Sequence, residues 1–170
     1  MNHEASSRVL IKLPRDRAWA LLQDLTLAHH YVPGVLRCEL HGEQRHGVGA
    51  SRRVHQKMGR WMDETVTEWS EGSGFVIRLH RENKGPAAPF KKAQFRYRLE
   101  DAGHGQTALT TSLMFDMRWG VFGRLLYRRL MAGAFRGIIR TISLNMKAYY
   151  ESRAGEPVNH ADTQAVGEGQ

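Results

Sequence analysis

The chain has 170 residues, a formal net charge of +8 and a single cysteine, Cys38. A chain of this length favours one domain with a sizeable core that needs no metal or disulfide, and a lone cysteine excludes an internal disulfide. The sequence shows neither the apolar run of a secretory leader nor the roughly 18 apolar residues of a membrane span, so we expect a soluble, cytoplasmic protein.

The N-terminal part of the chain predicts one strand followed by two short helical segments. Val9–Ile11 has strand character, and Pro14 ends that strand. The next apolar residues recur at helical spacing and are Trp19, Leu22 and Leu25. A second short helical segment, LTLAHHY, stops before Pro33, because a residue that precedes proline is disfavoured in the helical region.

Six further strands are predicted between residues 35 and 117. They lie in the segments VLRCELHGEQR, GASRRVHQKM, WMDETVTEW, GFVIRLHRE, FKKAQFRYRLE and QTALTTSLMFDM, with glycine-containing turns between them. Short strands separated by regular turn signals are typical of an antiparallel meander.

A long C-terminal helix is predicted over about residues 121–150. Its apolar residues recur every fourth position and form a wide stripe, which indicates a largely buried helix. Gly133 and Gly137 lie inside it, and each costs about 1 kcal/mol relative to alanine, which indicates close packing or a bend. Residues 152–170 have few large apolar side chains, so we expect a domain of residues 1–151 followed by a disordered tail.

The order of these elements, together with several motifs, resembles the START-like superfamily, also called SRPBCC or helix-grip, which includes polyketide cyclase/dehydrase-like and lipid-transport-like proteins. The motifs are PRDRAWALLQDL, YVPGV, GVGASRRV, DETVTEW followed by EGSG, and NMKAYYES, and the resemblance covers about residues 5–151. It implies an α+β fold: a seven-stranded antiparallel sheet wrapped around the long C-terminal helix, with two short helices after the first strand. It also implies a cavity that takes an apolar or amphipathic molecule.

Strand alternation predicts which side chains face that cavity. The predicted ligand-binding residues are Tyr31, Val54, Gln56, Glu64, Val66, Phe75, Ile77, Leu79, Phe95, Tyr97, Leu109, Thr111, Leu113, Phe122, Leu126 and Phe135. Tyr31 is expected near the rim of the cavity, because the short helices close one end of the sheet. The loop of residues 85–89 and the rim around residues 31–33 are candidate gates.

Polar residues on the third and fourth strands share the inward face. A three-residue turn at 59–61 would pair Met58 with Met62. Continuing that register gives the pairs Gln56–Glu64, Val54–Val66 and Arg52–Glu68. A buried carboxylate requires a partner, and one interpretation is a structural, partly solvated ion pair near the sheet edge. The other is a polar spot that orients the oxygen of a ligand in an apolar pocket, formed by Gln56, Glu64, Tyr97 and Thr111.

Three functions remain open. The favoured one is binding, with transport as an extension of it, of a small hydrophobic ligand such as a lipid, a quinone or a polyketide-like aromatic. The alternative is a cyclase or dehydratase in which Glu64 is the general acid or base and Arg52 or Tyr97 stabilises negative charge. The third is an RNA- or protein-interaction module that uses the basic face of the last helix, with the pairs Arg124–Arg128 and Arg136–Arg140.

No spacing typical of a metal, nucleotide or nucleophile motif occurs, so neither a metal nor a cofactor is predicted. The basic surface also fits peripheral contact with an anionic membrane. Binding of nucleic acid is less favoured, and the sequence leaves the oligomeric state open.

Overall fold

Seven strands and two α-helices make up the part of the chain that the computed structural model describes, residues 1–118 and 131–155. The strands are β1 (His3–Ile11), β2 (Val35–His41), β3 (Ser51–Gln56), β4 (Trp61–Ser70), β5 (Gly74–His80), β6 (Phe90–Gly103) and β7 (Gln106–Met117). The helices are α1 (Arg15–Leu22) and α2 (Ala132–Ser152), and short 3-10 turns span Leu27–His30 and Lys57–Gly59. The predicted α+β helix-grip fold is confirmed.

All seven strands form one antiparallel sheet in the order β1-β7-β6-β5-β4-β3-β2. Neighbours in the sheet are neighbours in the chain except for β1, which pairs with β7 from His3↔Phe115 to Ile11↔Thr107. β1 therefore begins six residues before the predicted Val9, because β7 offers backbone partners along that whole length.

The core lies between the inward face of the sheet and α2. Its fully buried members are Ile11, Val66, Ile77, Leu109 and Phe115 from the strands and Ile139, Ile142, Met146 and Tyr150 from α2. The buried helix residues recur three or four positions apart, so one face of α2 covers the sheet. Among the residues described, no helix is both long and apolar enough to cross a membrane.

The buried stripe of α2 is narrower than the sequence predicted. Ala134 and Ile138 belong to the apolar residues that recur every fourth position, yet Ala134 is exposed and Ile138 is 49% exposed. Among the described residues, no atom lies within 4 Å of a Cβ added to Gly133 or Gly137, so this part of the chain shows no close packing at either glycine. The predicted start of the helix near 121 and the residues Phe122 and Leu126 lie outside the described residues, as do residues 156–170 of the predicted tail.

α1 and the first 3-10 turn close one end of the sheet, as predicted. Trp19 and Leu22 of α1 are buried, and Trp19 Nε1 donates to Glu71 Oε1 in the β4–β5 turn at 2.8 Å. Trp69 Nε1 donates to the other oxygen of the same carboxylate, also at 2.8 Å. The Glu71 carboxylate therefore links Trp19 of α1 to Trp69 of β4.

The register of the β3–β4 hairpin differs from the prediction. Gln56 pairs with Arg60 through a 2.7 Å backbone bond, and the loop between them is residues 57–59. Three-residue hairpin loops take glycine at their last, left-handed position, and Gly59 occupies it with φ +67°. The predicted loop placed Gly59 first instead. Met58, expected to face inward, is 87% exposed.

This shift of the loop changes every pair in the hairpin. Arg52 lies opposite Glu64, and Val54 lies opposite Met62. The predicted pairs Gln56–Glu64, Val54–Val66 and Arg52–Glu68 are therefore wrong. A β-bulge between Val66 and Glu68 also reverses the alternation, so that Glu68 faces outward and is exposed, against the prediction.

Candidate ligand-binding site

A buried ion pair joins β3 and β4 on the inward face of the sheet. The side chains of Arg52 and Glu64 are 3% and 11% exposed, and Arg52 Nη2 and Nε lie 2.5 and 2.7 Å from Glu64 Oε2. Arg52 Nη1 also donates to the carbonyl of Leu25, after α1, at 2.5 Å. Burial alone would lower the pKa of Arg52, but the charge of Glu64 more than offsets it and the pKa is raised. The guanidinium is charged.

Three buried tyrosines surround this pair. Tyr31 precedes β2, Tyr97 lies on β6, and Tyr150 lies on α2. Burial raises the pKa of Tyr31 to about 12, partly offset by the charge of Arg52. Burial likewise raises the pKa of Tyr97 and Tyr150 well above the ordinary value. All three phenols are therefore protonated at neutral pH and can donate hydrogen bonds.

The hydroxyl of Tyr150 is buried and has no hydrogen-bond partner within the described part of the chain. Its ring lies 6.2 Å from the ring of Tyr31 between centroids, and beyond the effect of burial the nearby Tyr97 raises the pKa of the Tyr150 phenol while the charge of Arg52 lowers it. We call the ion pair and the three tyrosines the tyrosine–arginine cluster, and its members are Tyr31, Arg52, Glu64, Tyr97 and Tyr150. Both bonds from Arg52 end on Glu64 Oε2, so Oε1 is left as an acceptor.

Apolar side chains make up the rest of the predicted lining. Those that are buried are Val54, Val66, Phe75, Ile77, Leu79, Leu109 and Leu113, whereas Phe95 and Phe135 are half-buried. Further aromatic rings pack against the cluster. The centroid of the Tyr97 ring lies 5.3 Å from that of Phe75 and 6.0 Å from that of Phe95. The cluster is thus a polar group in an apolar interior, and its members differ from those of the predicted polar spot.

Two residues of the predicted polar spot have other roles. Gln56 is half-buried and pairs with Val35 at the end of β3, away from Glu64. Thr111 is fully buried, and its hydroxyl lies 3.9 Å from Met146 Sδ of α2. Tyr31, expected near the rim, is only 3% exposed.

Sequence reasoning missed Tyr150 and the Leu25 carbonyl. Tyr150 continues the buried series of Ile139, Ile142 and Met146, and that spacing could have identified it. The Leu25 carbonyl carries no signal in the sequence, because any residue offers one. Among the described residues, no group of three histidine, cysteine, aspartate or glutamate side chains could hold a metal ion.

The seven-stranded sheet wrapped around α2 is the helix-grip architecture that the resemblance implied. Residues 2–151 match the family described as polyketide cyclase / dehydrase and lipid transport. The chain belongs to this family. No curated protein matches the sequence significantly.

Solved structures share the fold at low sequence identity. A protein of Thermus thermophilus is 17% identical with a TM-score of 0.67, over 89% of this chain and 99% of that one. The Zhui aromatase/cyclase of Streptomyces sp. R1128 is 17% identical with a TM-score of 0.61, over 89% and 94%. A START superfamily protein of Mycobacterium smegmatis is 17% identical with a TM-score of 0.59, over 90% and 97%. These identities show the fold alone.

Proposed function

We propose that the protein binds a small hydrophobic molecule that carries a carbonyl or hydroxyl oxygen, between the inward face of the sheet and α2. The observation that carries the proposal is the buried Tyr150 hydroxyl, which has no partner among the described residues and whose ring packs 6.2 Å from that of Tyr31 in the tyrosine–arginine cluster. An unpaired buried hydroxyl costs about 1–3 kcal/mol. A ligand oxygen that accepts its hydrogen bond recovers that cost.

The surrounding side chains favour a ligand that has an apolar body and one oxygen acceptor. The apolar lining favours burial of ligand surface, which contributes about 25 cal/mol per Å². The cluster presents phenol and guanidinium donors, so a carbonyl oxygen fits it better than a second cation does. Lipids, quinones and polyketide-like aromatics all meet this description, and the family description includes lipid transport.

A matched pair of probes tests the oxygen anchor. Menadione and 2-methylnaphthalene share a ring skeleton, but only menadione carries carbonyl oxygens. We expect the protein to bind menadione about tenfold more tightly by calorimetry, because one charge-assisted or buried hydrogen bond is worth about 1.5 kcal/mol. Tyr150→Phe should remove this preference and leave the affinity for 2-methylnaphthalene unchanged.

Tyr149→Phe is the matched control, since it alters the neighbouring, half-buried phenol on the same helix. It should keep the preference for menadione. Equal affinities of the unmodified protein for the two probes would refute the oxygen anchor, as would an unchanged preference in Tyr150→Phe.

A second candidate is an enzyme of the cyclase or dehydratase type. Glu64 Oε1, which accepts no bond from Arg52, is a candidate proton acceptor, and the nearby phenols and guanidinium would stabilise an enolate oxygen. If the protein is such an enzyme, it should cyclise a synthetic poly-β-ketone, and absorbance measures that reaction. Glu64→Gln should abolish that turnover and still bind menadione, whereas a carrier shows binding and no turnover.

The basic face of α2 is a further candidate interaction surface. Arg136 and Arg140 are exposed on α2, while Arg124 and Arg128 lie outside the described residues. Charge reversal at both exposed arginines would test contact with an anionic membrane, RNA or protein. A cytoplasmic location, a gate at residues 85–89 and the division at residue 151 rest on the sequence alone.

A further inference from the structure

A pocket of about 170 Å³ lies on the outward face of the sheet, on the side opposite α2. Its lining comprises Glu68, Trp69, Ser70, Ser73, Gly74, Phe75, Val76, Arg96, Tyr97 and Arg98. Along these strands the side chains of Trp69, Phe75 and Tyr97 face the core. The alternate residues, including Arg96 and Arg98, therefore face outward and form the pocket wall.

The hollow follows from the backbone at Gly74. Gly74 pairs with Ser70 on one side and Arg98 on the other, at an outward position that carries no side chain. A Cβ there would lie 2.1 Å from the carbonyl oxygen of Tyr97, and the φ of +146° is one that only glycine adopts readily. The bulge before Glu68 turns that carboxylate outward onto the same wall.

The two arginines of the pocket lack an ion-pair partner within residues 1–118 and 131–155. Arg96 is half-buried and Arg98 is exposed, and neither forms an ion pair with any described residue. Two other outward arginines do have partners: Arg8 lies 3.3 Å from Glu100, and Arg53 lies 2.7 Å from Asp63. Two adjacent guanidinium groups without a carboxylate partner repel each other, and a bound anion would relieve that repulsion.

We propose that this pocket binds a phosphodiester group. Guanidinium groups match phosphoryl oxygens bidentately, and the hydroxyls of Ser70 and Ser73 on the rim add two donors. Two arginines and Glu68 leave a net charge of +1 on the wall, which complements the single negative charge of a phosphodiester. One water occupies about 30 Å³ of liquid, so the pocket has room for a group of several heavy atoms. The source is either a soluble phosphodiester or a phospholipid headgroup.

Diethyl phosphate is the probe for the shared chemistry. Titration at low salt should shift the Nε–H NMR signals of Arg96 and Arg98 saturably. Arg96→Gln and Arg98→Gln should each weaken binding about tenfold, because each removes a charge-assisted hydrogen bond. Glu68→Gln should strengthen binding severalfold, because it removes the negative charge from the wall.

Arg78→Gln is the matched control, since Arg78 is exposed on the outward face of β5 but does not line the pocket. It should leave the affinity unchanged. An equal loss in Arg78→Gln would show general surface attraction and overturn the site, as would the absence of saturable shifts. Circular dichroism checks that each variant is folded.

Vesicles of phosphatidylcholine with and without phosphatidylglycerol distinguish the two sources. Co-sedimentation that needs phosphatidylglycerol, Arg96 and Arg98 assigns the lipid headgroup. Binding of diethyl phosphate without co-sedimentation assigns a soluble phosphodiester. This site is independent of the interior cluster, so its failure would leave the proposed function standing.

Discussion

The ion pair of Arg52 and Glu64 is buried, and its burial costs desolvation free energy. Taking two charges out of water costs several kcal/mol for each ion, and their attraction repays this only if the remaining hydrogen-bonding groups are satisfied. Arg52 makes three bonds, two to Glu64 Oε2 and one to the Leu25 carbonyl, while Glu64 Oε1 is left as an open acceptor. The pair therefore depends on the segment after α1 as well as on the sheet.

Removal of one partner should destabilise the protein more than removal of both. Glu64→Gln leaves the guanidinium of Arg52 without a counter-charge, and we expect a loss of about 3 kcal/mol in the free energy of unfolding. The double variant Arg52→Met, Glu64→Leu should recover most of that loss, because it leaves only the Leu25 carbonyl unpaired. Urea unfolding of both variants measures the difference. If the single variant is as stable as the double one, the ion pair is not buried in solution.

Tyr150 shows how far individual residues of the site could be predicted. Strand alternation correctly placed Glu64 and Tyr97 on the inward face, because their apolar neighbours fix the parity of each strand. Tyr150 comes from α2, on the other side of the interior. Which helix residue meets which strand residue depends on how α2 is rotated on the sheet, and local pattern does not contain that information.

At the scale of elements, the sequence determined strand order and facing better than register. Each strand was identified because turns and alternation are local properties. The predicted β3–β4 register was wrong because the loop was placed at residues 59–61 instead of 57–59. Each β3 residue therefore pairs with a β4 residue four positions earlier than predicted. One bulge at Val66–Glu68 then reversed the facing of Glu68. Bulges insert a single residue and leave no pattern that alternation can detect.

Two glycines should respond to alanine in opposite directions. Gly74→Ala should cost about 2–3 kcal/mol of unfolding free energy, because the new Cβ overlaps the Tyr97 carbonyl oxygen and φ is +146°. Gly137→Ala should stabilise the protein by about 0.5–1 kcal/mol, because no described residue lies within 4 Å of the added Cβ and alanine loses less backbone entropy. Thermal and urea unfolding measure both. A cost at Gly137 would mean that this helix face is covered in solution.

At the scale of the whole molecule, α2 connects both ends of the fold. Asn145 Nδ2 donates to the Tyr31 carbonyl at 3.2 Å, and Glu151 Oε1 accepts the Lys12 amide at 2.8 Å. The interior cluster exists only when α2 is held against the sheet in this way, since Tyr150 and Arg52 are nearly 100 residues apart in the sequence. The order of elements was sufficient to predict the fold, whereas the ligand depends on the side chains that this assembly brings together.

Burial of three protonated tyrosines should make global stability fall at alkaline pH. The pKa of Tyr31 is raised to about 12 in the folded protein, above an ordinary value of 10.0. Above pH 10 the unfolded chain therefore loses its phenol proton while the folded protein keeps it, which favours unfolding. The contribution of each buried phenol to the free energy of unfolding is fully present below pH 10. It is lost as pH rises toward 12, at about 1.4 kcal/mol per pH unit for each such group.

Tyr31→Phe isolates the contribution of one phenol to this slope. Urea unfolding of the unmodified protein and of Tyr31→Phe at pH 8, 10 and 11, roughly spanning the ordinary tyrosine pKa, should give parallel stabilities up to pH 10. Above that pH the unmodified protein should lose stability faster, by the equivalent of one proton, because the variant has no Tyr31 to ionise on unfolding. The value at pH 8 is the internal control, since it contains only the packing cost of the lost hydroxyl. Equal slopes above pH 10 would mean that Tyr31 is solvated in the native state, and the cluster around Arg52 would then be open to water.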